Sequence, residues 1–563
     1  MTVRGSLAFC ATLFMTAAIL IYFHDKFWWP PDEGAYAYVA ERILAGDVLN
    51  RDVQDIHMGY VNFLNALALK LFGTQLVSLR LPLVAAGLIQ AGVIFLLFQS
   101  RSVLLAMSAA LSLTALSFVQ FLNPTAHWYS LFLMIAIIGC LAGIPPANRW
   151  RLFVVGLLLI TLVLFRQLSG VIAGIGVVAF LLYEAPRGAT GLNTVFARAL
   201  TAIMFLGLAG YLLAKTDISA ILLFGIGPLS ILALGFFKAS ADNRYVARLL
   251  PPLMAGGLIA ALPLVAYHIY HGSLVTWYGD TILSALTLTG MEFMDGPRYL
   301  HYALFGLGQA VTMESFGAVV NGLFWASLVL VAPLLAILVL IDLTRREGER
   351  PTTHALPFLA VFYGIVSVHF QIPIYLFYTV GLSLAGLTWM LAGDSMRRRA
   401  IVSVGVLSLS VVGLYYHAAQ PLSRGLMGIL KGDRTELTET GGLGRLGLSI
   451  EAEDIKIYRH IAELVKREVR TDQTILAMPA NSEIYFLTNR HSPFRFFNSA
   501  HGILDKADLK AALKTMKERP PRLVFHRPAD KYNTKLSDEI MTYVRQHYEH
   551  VETRGGFEIY RIN

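Results

Sequence analysis

The sequence predicts a polytopic α-helical membrane protein with about 13 transmembrane helices and a C-terminal extracytoplasmic α/β domain. Two observations support this fold class. Of the 563 residues, 56% are hydrophobic and only 15% are charged, whereas soluble domains carry about 25% charged residues. About half of the charged residues follow Gly425. We therefore expect a transmembrane domain over residues 1–424 and an outer domain over residues 425–563.

Apolar runs define the predicted spans. A helix needs about 20 apolar residues to cross a bilayer, and runs of this kind recur along the first three quarters of the chain. They predict thirteen spans, near 7–23, 76–99, 103–122, 127–144, 151–165, 168–183, 198–214, 219–237, 250–271, 316–341, 354–371, 374–392 and 400–417.

Basic residues mark every second connection between these spans, from Arg4 through Arg101, Arg149 and Arg244 to Arg397. Cytoplasmic loops are enriched in Lys and Arg, so this alternation predicts a cytoplasmic N-terminus. The long loops 24–75 and 272–315 and the C-terminal domain then lie on the periplasmic or extracellular side. The same pattern accounts for the net charge of +9, and we expect membrane lipids, not nucleic acid, as surroundings and partners.

The C-terminal region has a different sequence pattern. Short β-rich runs at 474–478, 522–525 and 557–562 alternate with amphipathic helical patterns at 451–469, 504–518 and 535–547. This alternation is typical of a small α/β domain.

The first outer loop is rich in chemistry-bearing residues. Two Pro residues follow Trp29, and Asp32 occupies the position expected of an N-cap for a helix on the outer surface. One interpretation is that Asp32 and Glu33 only cap this helix and complement its dipole. A second group of acids with a His follows at 47–60, so a site at the membrane surface is the other interpretation.

Taken over about 40 residues, this loop resembles that of the GT-C glycosyltransferases, the superfamily of the protein O-mannosyltransferases and the lipid A aminoarabinose transferase. The matching residues are Asp32, Glu33, Tyr36, Ala40, Gly46, Arg51, Asp52 and Asp55. The chain departs from the family in two places. His57-Met58-Gly59 stands where relatives commonly have Lys-Pro-Pro-Gly, and the second outer loop, 123–129, offers His127 and no carboxylate.

The resemblance implies transfer of a sugar, with inversion, from a polyprenyl-phosphate donor to a lipid, glycan or protein acceptor in the cell envelope. It assigns Asp32 as general base and Glu33 as an orienting residue. The carboxylate of Asp32 lies at an apolar rim, so we expect its pKa to be raised. Candidates for binding the donor phosphate are Arg166, His57 and Arg298, and candidates for substrate binding are Tyr36, Asp55, Tyr60, His127 and His268.

Several of these candidates have a simpler interpretation. Arg166 could merely end a span with its side chain reaching to the interface, and His127 could pack beside Trp128 and Tyr129. His268 and His271 share a helix face, but no acid nearby completes a metal site. The sequence predicts no certain cofactor, and it leaves open whether the site binds a divalent metal.

Two other function classes compete with the glycosyltransferase. A polytopic lipid or glycan transporter or flippase is expected to show internal repeats with broken helices, and we find no such duplication. A glycan ligase using a pyrophosphate-linked donor shares the expected fold. In either case the expected location is a bacterial inner membrane.

Overall fold

A computed structural model describes residues 3–146, 148–186, 188–284, 298–312, 315–345, 354–420 and 443–562. The expected domain boundary at 424–425 lies outside the described residues, as does the middle of the long loop 272–315. Helices dominate the described part of the chain up to residue 420, and the four strands of its sheet all follow residue 474.

Within the described ranges, eleven helices are long and apolar enough to cross a membrane. They are Val3–Phe23, Leu76–Phe98, Val103–Gln120, Ala126–Gly143, Gln167–Glu184, Gly191–Lys215, Ile218–Phe237, Asn243–Tyr270, Phe316–Thr344, Pro373–Leu391 and Met396–Tyr416. The other two predicted spans correspond to shorter helices, Arg149–Phe165 and Ala355–Val368. Each of the thirteen predicted spans thus coincides with a helix, and the chain is an integral membrane protein.

The helices divide into central and peripheral ones. Val103–Gln120 and Pro373–Leu391 are largely enclosed by other helices, whereas Val3–Phe23 and Met396–Tyr416 expose most of their length. Both the central and the peripheral helices are apolar on all faces, as expected of helices surrounded by protein core or by lipid.

Glycine residues allow one pair of helices to pack closely. Helix Asn243–Tyr270 lies along Arg149–Phe165, and a Cβ atom added at Gly256 would lie 2.0 Å from the carbonyl oxygen of Phe153. A Cβ atom at Gly156 would lie 2.1 Å from the carbonyl oxygen of Leu253. Small residues allow such close approach of membrane helices. The two helices therefore pack backbone against backbone around residues 153–157 of Arg149–Phe165.

Shorter helices occupy the outer loops. The first loop contains Pro30–Leu44, called the site helix below, and the amphipathic helix Tyr60–Phe72. The described parts of the long loop 272–315 contain Leu274–Tyr278, the π-helical turn Gly279–Leu283 and Tyr299–Thr312.

The C-terminal region forms the expected α/β structure. Its strands are β1 (Ile475–Met478), β2 (Leu523–His526), β3 (Tyr548–Arg554) and β4 (Phe557–Ile562), in the sheet order β1-β2-β4-β3. β1 and β2 are parallel, and β4 is antiparallel to both β2 and β3. The accompanying helices are Ala452–Glu468, Ser482–Thr488, Ser499–Gly502, Lys506–Glu518 and Lys535–His547. Strand β3, with its mostly exposed residues, and the short helices Ser482–Thr488 and Ser499–Gly502 have no counterpart in the sequence-based prediction.

This region packs directly on the first outer loop. The Trp28 indole donates to Asp454 (2.9 Å), the Ser482 hydroxyl donates to the Pro31 carbonyl (3.1 Å), and Arg445 is ion-paired with Glu41. The sheet region thereby fixes both ends of the site helix.

Candidate active site

The N-cap of the site helix lies three residues earlier than the sequence suggested. Trp29 occupies the N-cap position, Pro30 and Pro31 form the first turn, and the Glu33 carboxylate accepts the backbone N–H of Trp29 (3.2 Å). Proline suits this first turn because its nitrogen has no hydrogen to leave unpaired. The prediction that Asp32 is the N-cap is therefore wrong, and its carboxylate is available for other contacts.

Asp32 lies where the first outer loop meets the second. Its side chain is half-buried, and one carboxylate oxygen accepts a hydrogen bond from the Asn123 amide (3.3 Å). Burial raises the pKa of Asp32 to about 6, against the opposing effects of Lys531, His57 and Asn123. A carboxylate with this pKa is ionised at neutral pH and still accepts a proton readily, which is what a general base requires.

A buried acid holds His57 in place. Asp55 is only 5% exposed, and one of its carboxylate oxygens accepts both the backbone N–H (2.6 Å) and the ring Nδ1–H (2.7 Å) of His57. The other ring nitrogen faces the Tyr36 hydroxyl at 3.3 Å, and Tyr36 donates to Thr125 (3.1 Å). The Asp55 carboxylate thus fixes the orientation of the His57 ring and leaves its second ring nitrogen facing Tyr36.

Arg166 lies between the end of helix Arg149–Phe165 and the start of helix Gln167–Glu184. Its backbone is extended (φ −154°, ψ 111°), and the next residue, Gln167, donates to the carbonyls of Ile56 (3.0 Å) and Thr281 (2.9 Å). These bonds bring Arg166 close to the His57 segment. The guanidinium lies 5.8 Å from the centre of the Tyr375 ring.

The Arg166 Nε is buried and has no hydrogen-bond partner within the described part of the chain. Buried polar groups are almost always satisfied, so an unpaired guanidinium nitrogen indicates room for an acceptor, and a phosphate would suit it. Arg151, at the other end of the same helix, also has a buried Nε without a partner among the described residues, but its guanidinium is ion-paired with Glu184 (2.6 Å).

His127 is buried against aromatic rings. It stacks on Tyr378 with ring centroids 3.9 Å apart and meets Tyr375 edge-on at 4.8 Å. Its Nδ1 lacks a partner among the described residues. His127 therefore shares the Tyr375 wall with Arg166, and its predicted contact with substrate stays a prediction.

Three other candidates lie apart from this group. The Tyr60 hydroxyl donates to the carbonyl of Ala260. His268 is buried, hydrogen-bonded to Ser273 (2.8 Å) and stacked on Trp277. Arg298 lies 3.7 Å from the Asp217 carboxylate. The contacts of Tyr60 and His268 are those of residues that hold the outer loops in place.

The surroundings of Glu33 differ from those expected of a residue that orients substrate. Its side chain is buried and ion-paired with Arg80 (2.7 Å). Arg80 also donates to the backbone carbonyls of His24 (2.7 Å), Lys26 (3.0 Å) and Phe27 (2.7 Å). Glu33 thus acts on the site through the position of its helix. Arg80 lies inside an apolar run, and that unusual location is the sequence signal that points to it.

Further site residues come from distant segments. Asn123 contacts Asp32, Tyr375 and Tyr378 line the wall beside His127, and Lys531 acts on Asp32 from the C-terminal region. Nothing in the local sequence around Lys531 distinguishes it from other surface lysines.

The described residues contain no group of three or more His, Cys, Asp or Glu side chains placed to hold a metal ion. The arrangement is one of a single half-buried carboxylate facing cations and aromatic rings.

No family model matches the chain, and no curated protein matches it. Two solved structures match over nearly the whole length, both of ArnT from Cupriavidus metallidurans, one bound to undecaprenyl phosphate and one in the apo state. Each is 12% identical with a TM-score of 0.39; the matches cover 100% and 99% of this chain and 98% and 97% of the respective ArnT chains. At this identity and TM-score the two matches carry no argument about family or activity.

Proposed function

We propose that this protein is a glycosyltransferase that moves a sugar from a polyprenyl-phosphate donor to an envelope acceptor on the outer face of the membrane. The transmembrane domain, residues 1–424, carries the chemistry, and residues 425–563 form an outer domain that closes over it. The N-terminus is cytoplasmic and the membrane is a bacterial inner membrane, as the distribution of Lys and Arg favours.

The observation that carries the proposal is the environment of Asp32. Its carboxylate is half-buried, its pKa is raised to about 6, and His57 lies close enough to act on that pKa. A proton acceptor with basic side chains nearby suits a reaction in which one reactant loses a proton and another gains negative charge.

In the proposed reaction an acceptor hydroxyl attacks the anomeric carbon of the sugar. The new carbon–oxygen bond forms on the face opposite the departing phosphate, so the configuration inverts. The hydroxyl proton passes to the Asp32 carboxylate, and the electrons of the broken bond go to the phosphate. Arg166 and His57 stabilise that phosphate as its charge increases.

The proposal is tested with the full-length protein in nanodiscs, supplied with polyprenyl-phosphate sugars and an envelope extract as acceptor. We expect Asp32→Asn to lower sugar transfer by at least about a hundredfold, because a missing general base typically costs that much. Asp472→Asn, the same change at an exposed ion pair with Arg470 in the C-terminal region, serves as the matched control and should transfer at the wild-type rate.

Wild-type transfer by the Asp32→Asn protein would refute the assignment of the base. Transfer from pyrophosphate-linked glycans alone would identify a glycan ligase, and movement of the intact lipid-linked sugar without cleavage would identify a transporter or flippase.

A further inference from the structure

A short segment without regular structure, residues 369–372, separates two neighbouring helices. The helix that begins at Ala355 ends as a 3-10 turn at Val368, and the next helix, Pro373–Leu391, begins after the segment. The first residue of the segment is His369, whose side chain is half-buried. The reaction proposed above does not use this histidine.

Contacts from two other parts of the chain hold the segment in place. The Tyr299 hydroxyl lies within hydrogen-bonding distance of the carbonyls of Ser367 (2.7 Å) and Ile372 (3.1 Å), one just before the segment and one at its end. The Gln371 side chain accepts the backbone N–H of Tyr299 (3.3 Å) and donates to the Asp217 carboxylate. The backbone around His369 is therefore fixed although it is not helical.

The ring of His369 is oriented by a tyrosine. The Tyr211 hydroxyl, on helix Val195–Lys215, lies 3.3 Å from Nδ1 of His369 and can donate to it. In a neutral imidazole only one nitrogen carries a hydrogen, so an Nδ1 that accepts this bond leaves Nε2 as a donor. Tyr211 thus selects the nitrogen with which His369 can donate to a ligand.

The Tyr375 ring brings His369 together with two residues of the candidate site. The centre of this ring lies 6.4 Å from the His369 ring, 4.8 Å from the His127 ring and 5.8 Å from the Arg166 guanidinium. Both the Arg166 Nε and the His127 Nδ1 are buried without a hydrogen-bond partner in the described part of the chain. Because buried polar atoms are almost always paired, two unpaired ones beside one ring indicate a polar ligand.

Two helix ends make the place suitable for an anion. Helix Gln167–Glu184 begins directly after Arg166, and helix Pro373–Leu391 begins two residues before Tyr375; neither has a side-chain cap. The first turn of a helix leaves backbone N–H groups without a helical partner and carries the positive end of the helix dipole. Uncapped helix starts beside basic side chains favour an anion such as a phosphate.

We propose that His369 binds the phosphate of the donor lipid together with Arg166, and that Tyr211 positions its ring. This inference rests on the proposed function. The Nε2–H of His369 donates to a phosphate oxygen before and after the sugar leaves, and it transfers no proton. Arg166 and His369 belong to different segments from Asn123, the partner of Asp32, so separate groups hold the phosphate and the base.

The test measures equilibrium binding of undecaprenyl phosphate to the full-length protein in detergent, with undecaprenol as the uncharged comparison. We expect His369→Ala to weaken phosphate binding about tenfold, as for loss of one hydrogen bond to a charged group, and to leave undecaprenol binding unchanged. His369→Gln keeps a side-chain N–H and should lose less. Tyr211→Phe removes only the hydroxyl, and it should weaken phosphate binding about threefold, as for loss of a neutral hydrogen bond.

His547→Ala is the matched control, since His547 is an exposed histidine of the C-terminal region, and it should bind the phosphate as wild type does. Wild-type phosphate affinity of His369→Ala would overturn the proposal while leaving the glycosyltransferase intact. An equal loss of phosphate and undecaprenol binding would overturn it too, because His369 would then only shape the lipid site. If wild type itself did not distinguish the phosphate from undecaprenol, the proposed function would fail as well.

Discussion

The carboxylates of Asp32 and Glu33 belong to adjacent residues and have separate surroundings. Asp32 accepts a hydrogen bond from Asn123 in the second outer loop, whereas Glu33 is buried in an ion pair with Arg80. Glu33 also accepts the N–H of Trp29, which stabilises the start of the site helix. One acid is thus placed for chemistry, and its neighbour holds the helix that carries it.

The raised pKa of Asp32 predicts a pH dependence. The base must be ionised to accept a proton, so we expect kcat/KM to increase with pH through an apparent pKa of about 6. Below that pH Asp32 is protonated and transfer declines. Initial rates between pH 5 and pH 8, at subsaturating acceptor, measure this profile. A profile that stays flat across this range would contradict the assignment.

Loss of Arg80 should destabilise the protein in a pH-dependent manner. Arg80→Met leaves the Glu33 carboxylate buried without its cation, and breaking such a pair typically costs about 3–5 kcal/mol. Burial raises the pKa of Glu33 to about 7 even with Arg80 present, so Glu33 can avoid part of this cost by taking up a proton at low pH.

A carboxyl group whose pKa is raised on folding stabilises the fold while protonated, and this contribution disappears as pH rises through the folded-state pKa. The Arg80→Met protein should therefore lose thermal stability most strongly above pH 7. Glu33→Gln keeps the shape and can still accept hydrogen bonds, but it leaves the buried Arg80 without its anion and should also lower the unfolding temperature. The folded Glu33→Gln protein should retain much more transfer activity than Asp32→Asn. Loss of transfer equal to that of Asp32→Asn, in a folded Glu33→Gln protein, would restore a direct role for Glu33.

A methyl group at Gly34 should separate the site helix from the C-terminal region. A Cβ atom there would lie 2.1 Å from the backbone nitrogen of Glu483 and 2.4 Å from its Cα, and backbone atoms cannot yield as a flexible side chain can. We expect Gly34→Ala to lower both transfer and the unfolding temperature. Gly405→Ala, where no atom lies within 4 Å of the added methyl group, is the control. Unaltered activity of Gly34→Ala would show that this contact does not position Asp32.

Arg166 should act on the donor and not on the acceptor. Arg166→Ala removes a cation with an unpaired nitrogen, and we expect KM for the donor to rise at least about tenfold, as for other lost bonds to charged groups. Arg166→Lys should recover part of this loss, because the charge is kept. Arg470→Ala changes the same residue type at an exposed position. An unchanged donor KM would leave Arg166 as the end of a span.

Hydropathy was sufficient to place the spans, because a membrane-spanning helix requires a long apolar run and the long apolar runs of this chain coincide with its spans. Short β-rich apolar runs likewise located β1, β2 and β4. Partners that are distant in the chain could not be found in this way. The Glu33–Arg80 pair spans 47 positions, and Lys531 acts on a residue about 500 positions away. Local periodicity carries no information about such contacts.

Local reasoning also misplaced the start of the site helix. An Asp after two Pro residues resembles an N-cap, but the two prolines themselves fit the first turn, and Glu33 satisfies the N–H of Trp29. The resemblance to a family identified Asp32 by its place in a motif, and the geometry then separated it from Glu33.

Asp280 has a consequence for how the protein matures. This buried carboxylate accepts two bonds from Arg495 (2.8 and 2.9 Å) and one each from Asn50 (3.0 Å) and Gln54 (3.1 Å). It thereby joins the first outer loop, the long loop 272–315 and the C-terminal region. A nascent chain that has emerged only as far as residue 420 has every described span and no Arg495. The Asp280 carboxylate therefore acquires its full set of partners, and the two loops are joined to the C-terminal region, only after that region has been synthesised.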